Sequence, residues 1–456
     1  MAFIEKGKKS LGEQVRGSIK KIIPAPVFRV VQPVYHFFLA QVAAAFYRYP
    51  SRRMLIVGVT GTKGKTSTAN FLWSCFTAGG YKTGLLSSAM ICIGSRKIVN
   101  PYHMTMPGRF TLQQLLWQMV KEGCTHCVVE VTSEGIKQFR HIGIEFDCAI
   151  FTNLSPEHLS SHGGSFDKYQ KTKGKLFASL SKKQAKILMG SVVPSAIIAN
   201  ADSPHASFFL AFPADKKITY GLNTSADIRG HSVKLIAKEG TEFFVGRERY
   251  LVRMWGAFHV SNALGALAAA QAYGVEDEAI RQGIGAVSVI PGRMEKIDAG
   301  QDFTVFVDYA HEAVSINASL EAAREYAGKD RRVIVLLGAE GGGRDKEKRP
   351  LMGDAAARLA DFVIVSNVDP YDDDPMEIIE DITRAAESAG KERGKNLFVV
   401  EERREGIRKA FSLARTNDVV ILEGKGSEQF ICVRDKKIPW DDRTVAREEL
   451  ERLVGH

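Results

Sequence analysis

The run Gly61-Thr62-Lys63-Gly64-Lys65-Thr66 constrains this chain most, because it lies between an apolar stretch, residues 54–59, and a helix-like stretch that opens at Ser67. A glycine-rich turn so placed aims backbone N–H groups and a helix N-terminus at a polyphosphate, and it demands a strand behind it and a helix ahead. Lys65 is positioned to neutralise phosphate charge, and Thr66 offers a hydroxyl for magnesium. Residues Gly61, Thr62, Lys63, Gly64, Lys65, Thr66 and Ser67 are therefore the expected nucleotide contacts, with ATP and Mg2+ the expected ligands. The strict pattern has another glycine five residues before Gly64, where Val59 stands, so the loop is a variant.

A chain of 456 residues with 45% apolar and 25% charged side chains has enough material for two or three domains with real cores. Apolar β-branched runs at 127–131, 148–152, 332–337, 362–366 and 419–422 alternate with helical patterns such as 261–273. That alternation predicts an α/β fold of parallel sheets covered by helices. Pro291-Gly292-Arg293 interrupts the pattern before a new strand at 303–308. The expected organisation is a leader over 1–50, a central P-loop ATPase domain with a parallel-rich sheet over 51–292, and a C-terminal Rossmann-like α/β domain over 293–456.

Residues 1–50 carry eight basic side chains, Lys6, Lys8, Lys9, Arg16, Lys20, Lys21, Arg29 and Arg48, against Glu5 and Glu13, and so hold most of the chain's net charge of +10. Residues 27–49 are rich in Val, Phe, Tyr, Leu and Ala, but Arg29, Gln32, Pro33, His36 and Gln41 interrupt them before a bilayer is spanned. Lysines ahead of an aromatic-rich helix suit the surface of an anionic membrane. The same composition describes a helix packed on the protein's own core, and both readings stay open. Six cysteines and no cleavable signal pattern suggest a reducing, cytoplasmic setting, with peripheral membrane contact as the variant. Cys124 and Cys127 have the spacing of half a metal site but no second pair. Without a basic groove interleaved with aromatics, the basic balance points to phosphates and lipids rather than nucleic acid.

Further strings follow the loop in order: Glu130-Val-Thr-Ser-Glu134-Gly135, Phe151-Thr-Asn153-Leu-Ser-Pro-Glu157-His158 with His162, and Tyr169-Gln-Lys-Thr-Lys173-Gly-Lys-Leu-Phe177. Then come Gly256-Ala-Phe-His-Val-Ser-Asn262, Pro291-Gly-Arg293-Met-Glu295, Asp308-Tyr-Ala-His311, Gly343-Arg344-Asp345-Lys346-Glu-Lys348-Arg349-Pro350 and Gly424-Lys425-Gly426-Ser-Glu428. This series resembles the Mur ligase family, and within it the tripeptide-forming branch, from about residue 54 to the C-terminus. The resemblance implies an ATP-dependent ligase of peptidoglycan precursor synthesis, which phosphorylates a muramyl-peptide carboxylate and joins the acyl phosphate to an amino acid. It implies metal ligation by Thr66, Glu130 and His158, and a carbamate on Lys173 that supplies a further oxygen ligand. Lys65, Glu130, His158 and Lys173 are then the expected catalytic set. Asn262 is expected beside the adenine, Arg293 at the phosphates, and Asp308 and His311 on the ribose and phosphate side. Thr105, Pro107, Asn153 and Glu134 are expected on the acceptor side, and Arg344, Asp369, Lys425 and Glu428 near the amino acid. Lys173 also reads as an ordinary lysine in a run with Lys171 and Lys175.

Four departures mark this chain within the resemblance. The family's uridine-nucleotide domain is replaced by the basic, aromatic leader of about 50 residues, which leaves UDP recognition open and suits a membrane-linked or other non-standard acceptor. A histidine after the metal glutamate is replaced by Glu134. The diaminopimelate-adding pattern Asp-Asn-Pro-Arg reads Val368-Asp369-Pro370-Tyr371, so the arginine for a distal carboxylate is lost. Diaminopimelate is thereby disfavoured, and Asp369, Asp372, Asp373 and Asp374 suit a basic side chain such as lysine or ornithine. Those acids equally suit the start of a helix at Met376. His259 and Ser427 replace an asparagine and a histidine. A folylpolyglutamate-type ligase is the alternative within the same superfamily.

Overall fold

A computed structural model describes residues 25–455 apart from 103, 158, 183–185, 189, 237–238 and 344–345. The leader's basic residues Lys6 to Lys21, His158 and Arg344 therefore lie outside the described residues. Helix α1 (Ala25–Phe46) leads through a short turn into β1 (Leu55–Thr60). Leu55, Val57 and Val59 enter one core while Met54 and Ile56 enter another. Burial on both faces is why this strand reads as an unbroken apolar run. Val59 is a strand residue paired with Glu130 and Ile150, so the loop's departure from the strict pattern is one of where the strand ends.

The first sheet is assembled around β1. Helix α2 (Lys65–Ala78) follows the loop, then β2 (Thr83–Leu86), β3 (Met90–Ile93), β4 (Arg96–Val99), α3 (Arg109–Lys121), β5 (His126–Glu130), α4 (Ser133–Lys137) and β6 (Cys148–Phe151). Beyond them lie α5 (Phe166–Ala178), a two-residue-strand hairpin of β7 (Ile187–Leu188) and β8 (Ser191–Val192), β9 (Ala196–Asn200), α6 (Ala206–Leu210) and β10 (Lys216–Gly221). An antiparallel trio, β11 (Ile228–Ile236), β12 (Gly240–Val245) and β13 (Glu248–Val252), precedes helices α7 (Ala257–Ala272) and α8 (Asp277–Ala286). The strand order is β13-β12-β11-β10-β9-β6-β1-β5-β2-β3-β4, parallel from β11 to β2 with antiparallel strands at both ends. The loop after β1 thus opens where the chain turns to β5 on one side and β6 on the other, the place where open α/β sheets bind ligands.

The second sheet begins at β14 (Glu295–Ile297) and β15 (Thr304–Asp308), followed by α9 (Ala313–Ala327), β16 (Val333–Leu337), α10 (Lys348–Leu359), β17 (Phe362–Val365) and α11 (Pro375–Ser388). It is completed by β18 (Leu397–Val399), α12 (Arg403–Leu413) and β19 (Val419–Glu423), in the order β14-β15-β19-β16-β17-β18 with only β14 antiparallel. The small hairpin of β20 (Phe430–Val433) and β21 (Lys436–Pro439) and helix α13 (Asp442–Val454) close the chain. Arg403 binds Asp442 through two hydrogen bonds of 2.8 and 2.6 Å, both side chains buried, which fastens α13 to the sheet. The expected α/β architecture of two parallel-rich sheets is present. All six cysteines are buried and unbonded to one another, and burial raises the Cys127 thiol well above the usual range, which makes it inert rather than reactive.

Candidate active site

The loop is braced from the neighbouring strand end. Asn153, just past β6, accepts Thr62 N–H at its backbone oxygen (2.8 Å) and Lys63 N–H at Oδ1 (2.9 Å). Thr152 Oγ1 donates to the Lys63 carbonyl at 2.6 Å. Asn153, expected beside the acceptor, here braces the glycine-rich loop. Gly64 has φ +81°, and a Cβ there would fall 2.2 Å from Asn262 Oδ1, so the loop's second glycine is required by both backbone and neighbour. Asn262, buried on α7, accordingly lies against the loop. The first-turn amides of α2 have no partners within the helix and point toward the loop's concavity.

Around the loop gather four basic side chains and two carboxylates. Lys65 Nζ donates to Thr62 O at 2.8 Å, and burial lowers its pKa with help from Lys63 and Arg293, against the pull of Glu130 and Glu157. Thr66 Oγ1 donates to Glu130 Oε2 at 3.0 Å, and Ser88 N–H donates to the same oxygen at 2.8 Å. Lys63 Nζ donates to Glu157 Oε1 at 3.0 Å. Lys173, buried on α5, donates to the Gly61 carbonyl at 2.7 Å and stands 4.6 Å above the Tyr169 ring. Burial first, and Lys65 second, push its pKa well below the usual lysine value despite Glu157 and Glu130. An ammonium so disfavoured spends more time as a free amine, the form that adds carbon dioxide.

The second sheet reaches back to the same loop. Arg293 Nη2 donates to Thr66 Oγ1 at 3.3 Å and its guanidinium lies 4.5 Å from the Tyr309 ring. Gly292 (φ +63°) touches the 424–428 loop so closely that a Cβ would fall 2.2 Å from Gly426 C and Ser427 N. Asp308 accepts Met294 N–H (2.7 Å) and Ala310 N–H (2.8 Å), which fixes the chain on both sides of Arg293. Burial raises its carboxyl, opposed by Arg293. His311 donates from Nδ1 to Tyr309 O at 2.7 Å, leaving Nε2 3.6 Å from Glu157 Oε1 across the lobes. Glu157, His311 and Glu312 form the one cluster of potential metal-binding groups among the described residues. Their neighbours are Lys63 and Lys348, with Lys348 Nζ 3.7 Å from Glu312, so the cluster is already neutralised as an ion-pair bridge.

Between the lobes, Ser88, Asn100, Met104, Thr105, Arg293, Tyr309 and residues 427–430 line a cleft of about 60 Å³. Thr105 Oγ1 shares a 2.6 Å hydrogen bond with Ser88 Oγ, and Pro107 is buried just before α3. Glu134 lies outside this group, exposed on α4 and accepting from Gln138 Nε2 at 2.7 Å. Asp369, expected to face the amino acid, is fully buried and accepts Lys425 Nζ at 3.0 and 2.8 Å and Cys432 N–H at 2.7 Å. Its role is to hold Lys425, which also donates to Glu428 Oε2 at 2.7 Å. Burial alone would lower the Lys425 pKa, but Glu428 and Asp369 prevail and raise it. Asp374 caps α11 through Met376 N–H at 2.8 Å, and Asp373 accepts Gly342 N–H at 3.1 Å. Three of the acidic cluster, Asp369, Asp373 and Asp374, therefore serve the chain itself. Ser88 and Glu312 lie outside every sequence motif, and Tyr309 and Lys348 lie in motifs that assign them no partner, since only folding brings the four together. His259, fully buried with both ring nitrogens unpartnered, is lowered to about 3 by burial and Arg293 and is held neutral beside Phe71.

The fold and this loop define a two-lobed nucleotide-binding enzyme whose second sheet closes on the phosphate site. Residues 59–270 match the Mur ligase middle domain, and residues 292–426 match the Mur ligase glutamate ligase domain. The chain is 38% identical over 447 residues to the UDP-N-acetylmuramyl-tripeptide synthetase of Roseiflexus sp. (strain RS-1), a match over 94% of this chain and 85% of that one. It is 37% identical over 416 residues to the UDP-N-acetylmuramoyl-L-alanyl-D-glutamate–2,6-diaminopimelate ligase of Caldanaerobacter subterraneus subsp. tengcongensis, covering 90% and 81% of the two chains. A solved structure of a ligase of that same name aligns with TM-score 0.58 and 26% identity over 88% of this chain and 79% of that one. A Mycobacterium tuberculosis folylpolyglutamate synthase shares the fold, with TM-score 0.67 and 18% identity over 91% and 95%. The chain belongs to the Mur ligase family and is an ATP-dependent, ADP-forming ligase.

Proposed function

We propose that this enzyme joins an amino acid to the carboxylate of a muramyl peptide, using ATP and Mg2+, in the assembly of peptidoglycan precursors. The observation that carries the reading is the convergence of Lys65, Thr66, Glu130 and the buried Lys173 on one loop, with Arg293 reaching it from the second sheet. Lys63, Lys65 and Arg293 bring basic side chains to the loop from both lobes, so an anionic ligand is favoured there. The oxygens of Thr66 and Glu130 are hard donors of the kind Mg2+ prefers, with His158 and a carbamylated Lys173 completing the expected set. Bound there, Mg2+ would neutralise charge between the phosphates and the acceptor carboxylate.

In this reaction an acceptor carboxylate oxygen bonds to the γ-phosphorus as the bond to ADP breaks. The amine of the amino acid then bonds to the acyl carbon, losing a proton, and inorganic phosphate leaves. Lys65 and Arg293 stabilise the phosphoryl charge. The contacts of Arg293 and His311 across the lobes exclude the water that would hydrolyse the acyl phosphate. Thr105 is assigned to the acceptor side of the cleft, and Lys425 and Glu428 to its amino-acid side. The setting is cytoplasmic, with peripheral contact to an anionic membrane.

Phosphate release is to be measured with ATP, Mg2+ and UDP-N-acetylmuramoyl-L-Ala-D-Glu against lysine, ornithine and diaminopimelate. Turnover dependent on both acceptor and amino acid is expected, strongest with lysine or ornithine, because Tyr371 stands where an arginine would meet a distal carboxylate. Preference for diaminopimelate would overturn the specificity reading; no turnover with any of them would overturn the nucleotide-linked acceptor.

A further inference from the structure

No charged residue lies between Arg29 and Arg48, yet α1 runs along the surface there. One face packs inward through His36, Ala40, Ala43 and Ala44. The opposite face exposes Val34 (55%), Phe38 (62%), Val42 (56%) and Phe46 (71%), four residues apart along one stripe. Rings from the neighbouring helix extend it: Phe46 and Phe110 are 6.2 Å apart, as are Tyr47 and Trp117, and both Phe110 and Trp117 are partly exposed. A solvated surface helix carries charges on its outer face, and a contiguous apolar patch of this kind marks something it docks against.

The surroundings of the stripe are basic. Arg48, Arg52 and Arg53 follow α1 and are exposed, and Lys121 at the end of α3 sits 5.4 Å from the Trp117 ring. The 24 residues ahead of α1 add Lys6, Lys8, Lys9, Arg16, Lys20 and Lys21 against two glutamates. No helix among the described residues is long and apolar enough to cross a membrane. Rings and aliphatic chains on one helix face, with cations before and after it, match the interface of an anionic bilayer: apolar groups enter the acyl boundary while lysines and arginines meet headgroups.

We infer that the exposed face of α1, extended by Phe110 and Trp117, docks this enzyme onto anionic lipid. This names the surface behind the peripheral contact proposed above, and it is independent of which amino acid the enzyme adds.

The test is sedimentation of the full chain with sucrose-loaded vesicles of about 70% phosphatidylcholine and about 30% phosphatidylglycerol, against vesicles of phosphatidylcholine alone. The native chain is expected to partition to the anionic vesicles only, less so as salt is raised. Combined Phe38→Ser, Val42→Ser and Phe46→Ser should weaken partition roughly 100-fold. Its melting temperature and its ADP release in free solution should stay unchanged, since these side chains face outward. Arg48→Glu with Lys121→Glu should remove the preference for anionic lipid while leaving the stripe intact. Equal partition of the stripe variant, or none by the native chain, overturns the inference. If the native chain instead doubles in mass with concentration and the stripe variant does not, the face belongs to a second copy. Loss of ADP release with partition retained would count against the ligase reading alone.

Discussion

Lys173 and Lys425 are both fully buried, and their surroundings send them to opposite states. Lys425 has two carboxylates within hydrogen-bond distance and keeps its proton. Lys173 has a carbonyl oxygen as its hydrogen-bond partner and a second lysine nearby, and its ammonium is disfavoured. The amine of Lys173 is thus set up to be modified and that of Lys425 to stay charged beside Asp369 and Glu428. Labelled bicarbonate should give a carbamate carbon signal in the native protein that is absent from Lys173→Ala, and that variant should lose activity about 100-fold or more. A full-activity Lys173→Ala would remove the carbamate. Asp369→Asn strips a buried ion pair of its charge and should cost about 3–5 kcal/mol of stability in urea titration. Lys65, Glu130 and Lys173 were legible because the family's motifs name them in order. The partnership of Asp369 was not, since Lys425 lies 56 residues away and only the loops after β19 and β17, meeting over the end of β16, join them.

At the scale of elements, strands buried on both faces were plain in the sequence, and strands that alternate or bulge were not. The expected runs at 127–131, 148–152 and 362–366 fall within a residue of β5, β6 and β17. The β11–β13 trio went unread, because its exposed polar and charged positions such as His231, Lys234 and Arg249 break the apolar signal and β11 shifts register between His231 and Lys234. At the end of β19, Glu423 is fully buried with Oε2 unpartnered, and burial raises its pKa well above the ordinary value. A raised folded-state pKa means its contribution to stability is complete below the unfolded value near 4.5 and is lost as pH rises through the folded value. Glu423→Gln should therefore melt higher than the native chain at pH 8, a gap that narrows toward pH 5; an equal gap at both would refute the assignment. Gly64→Ala forces a left-handed backbone on a side chain that meets Asn262, and should weaken ATP binding at least ~10-fold in calorimetry.

The whole molecule is two parallel-rich sheets joined by contacts at the glycine-rich loop and by Trp255, whose ring packs on Phe306 and Tyr326. Arg293 to Thr66 and His311 to Glu157 join segments after residue 292 to loops of the first sheet, while Gly292 packs on Gly426 within the second lobe. Arg293→Ala should leave melting temperature nearly unchanged and lower kcat about 100-fold, because it removes a phosphate charge and a lobe contact together. Motifs could name these residues, but their meeting across the hinge is a property of tertiary packing. The central claim is that a carboxylate is activated as an acyl phosphate before the amine attacks. Its most direct measurement is mass analysis of the inorganic phosphate released when the acceptor carboxylate carries oxygen-18. Transfer of one labelled oxygen into each phosphate is the outcome expected of this site. Phosphate free of label, with the label retained in acceptor and amide, would contradict it.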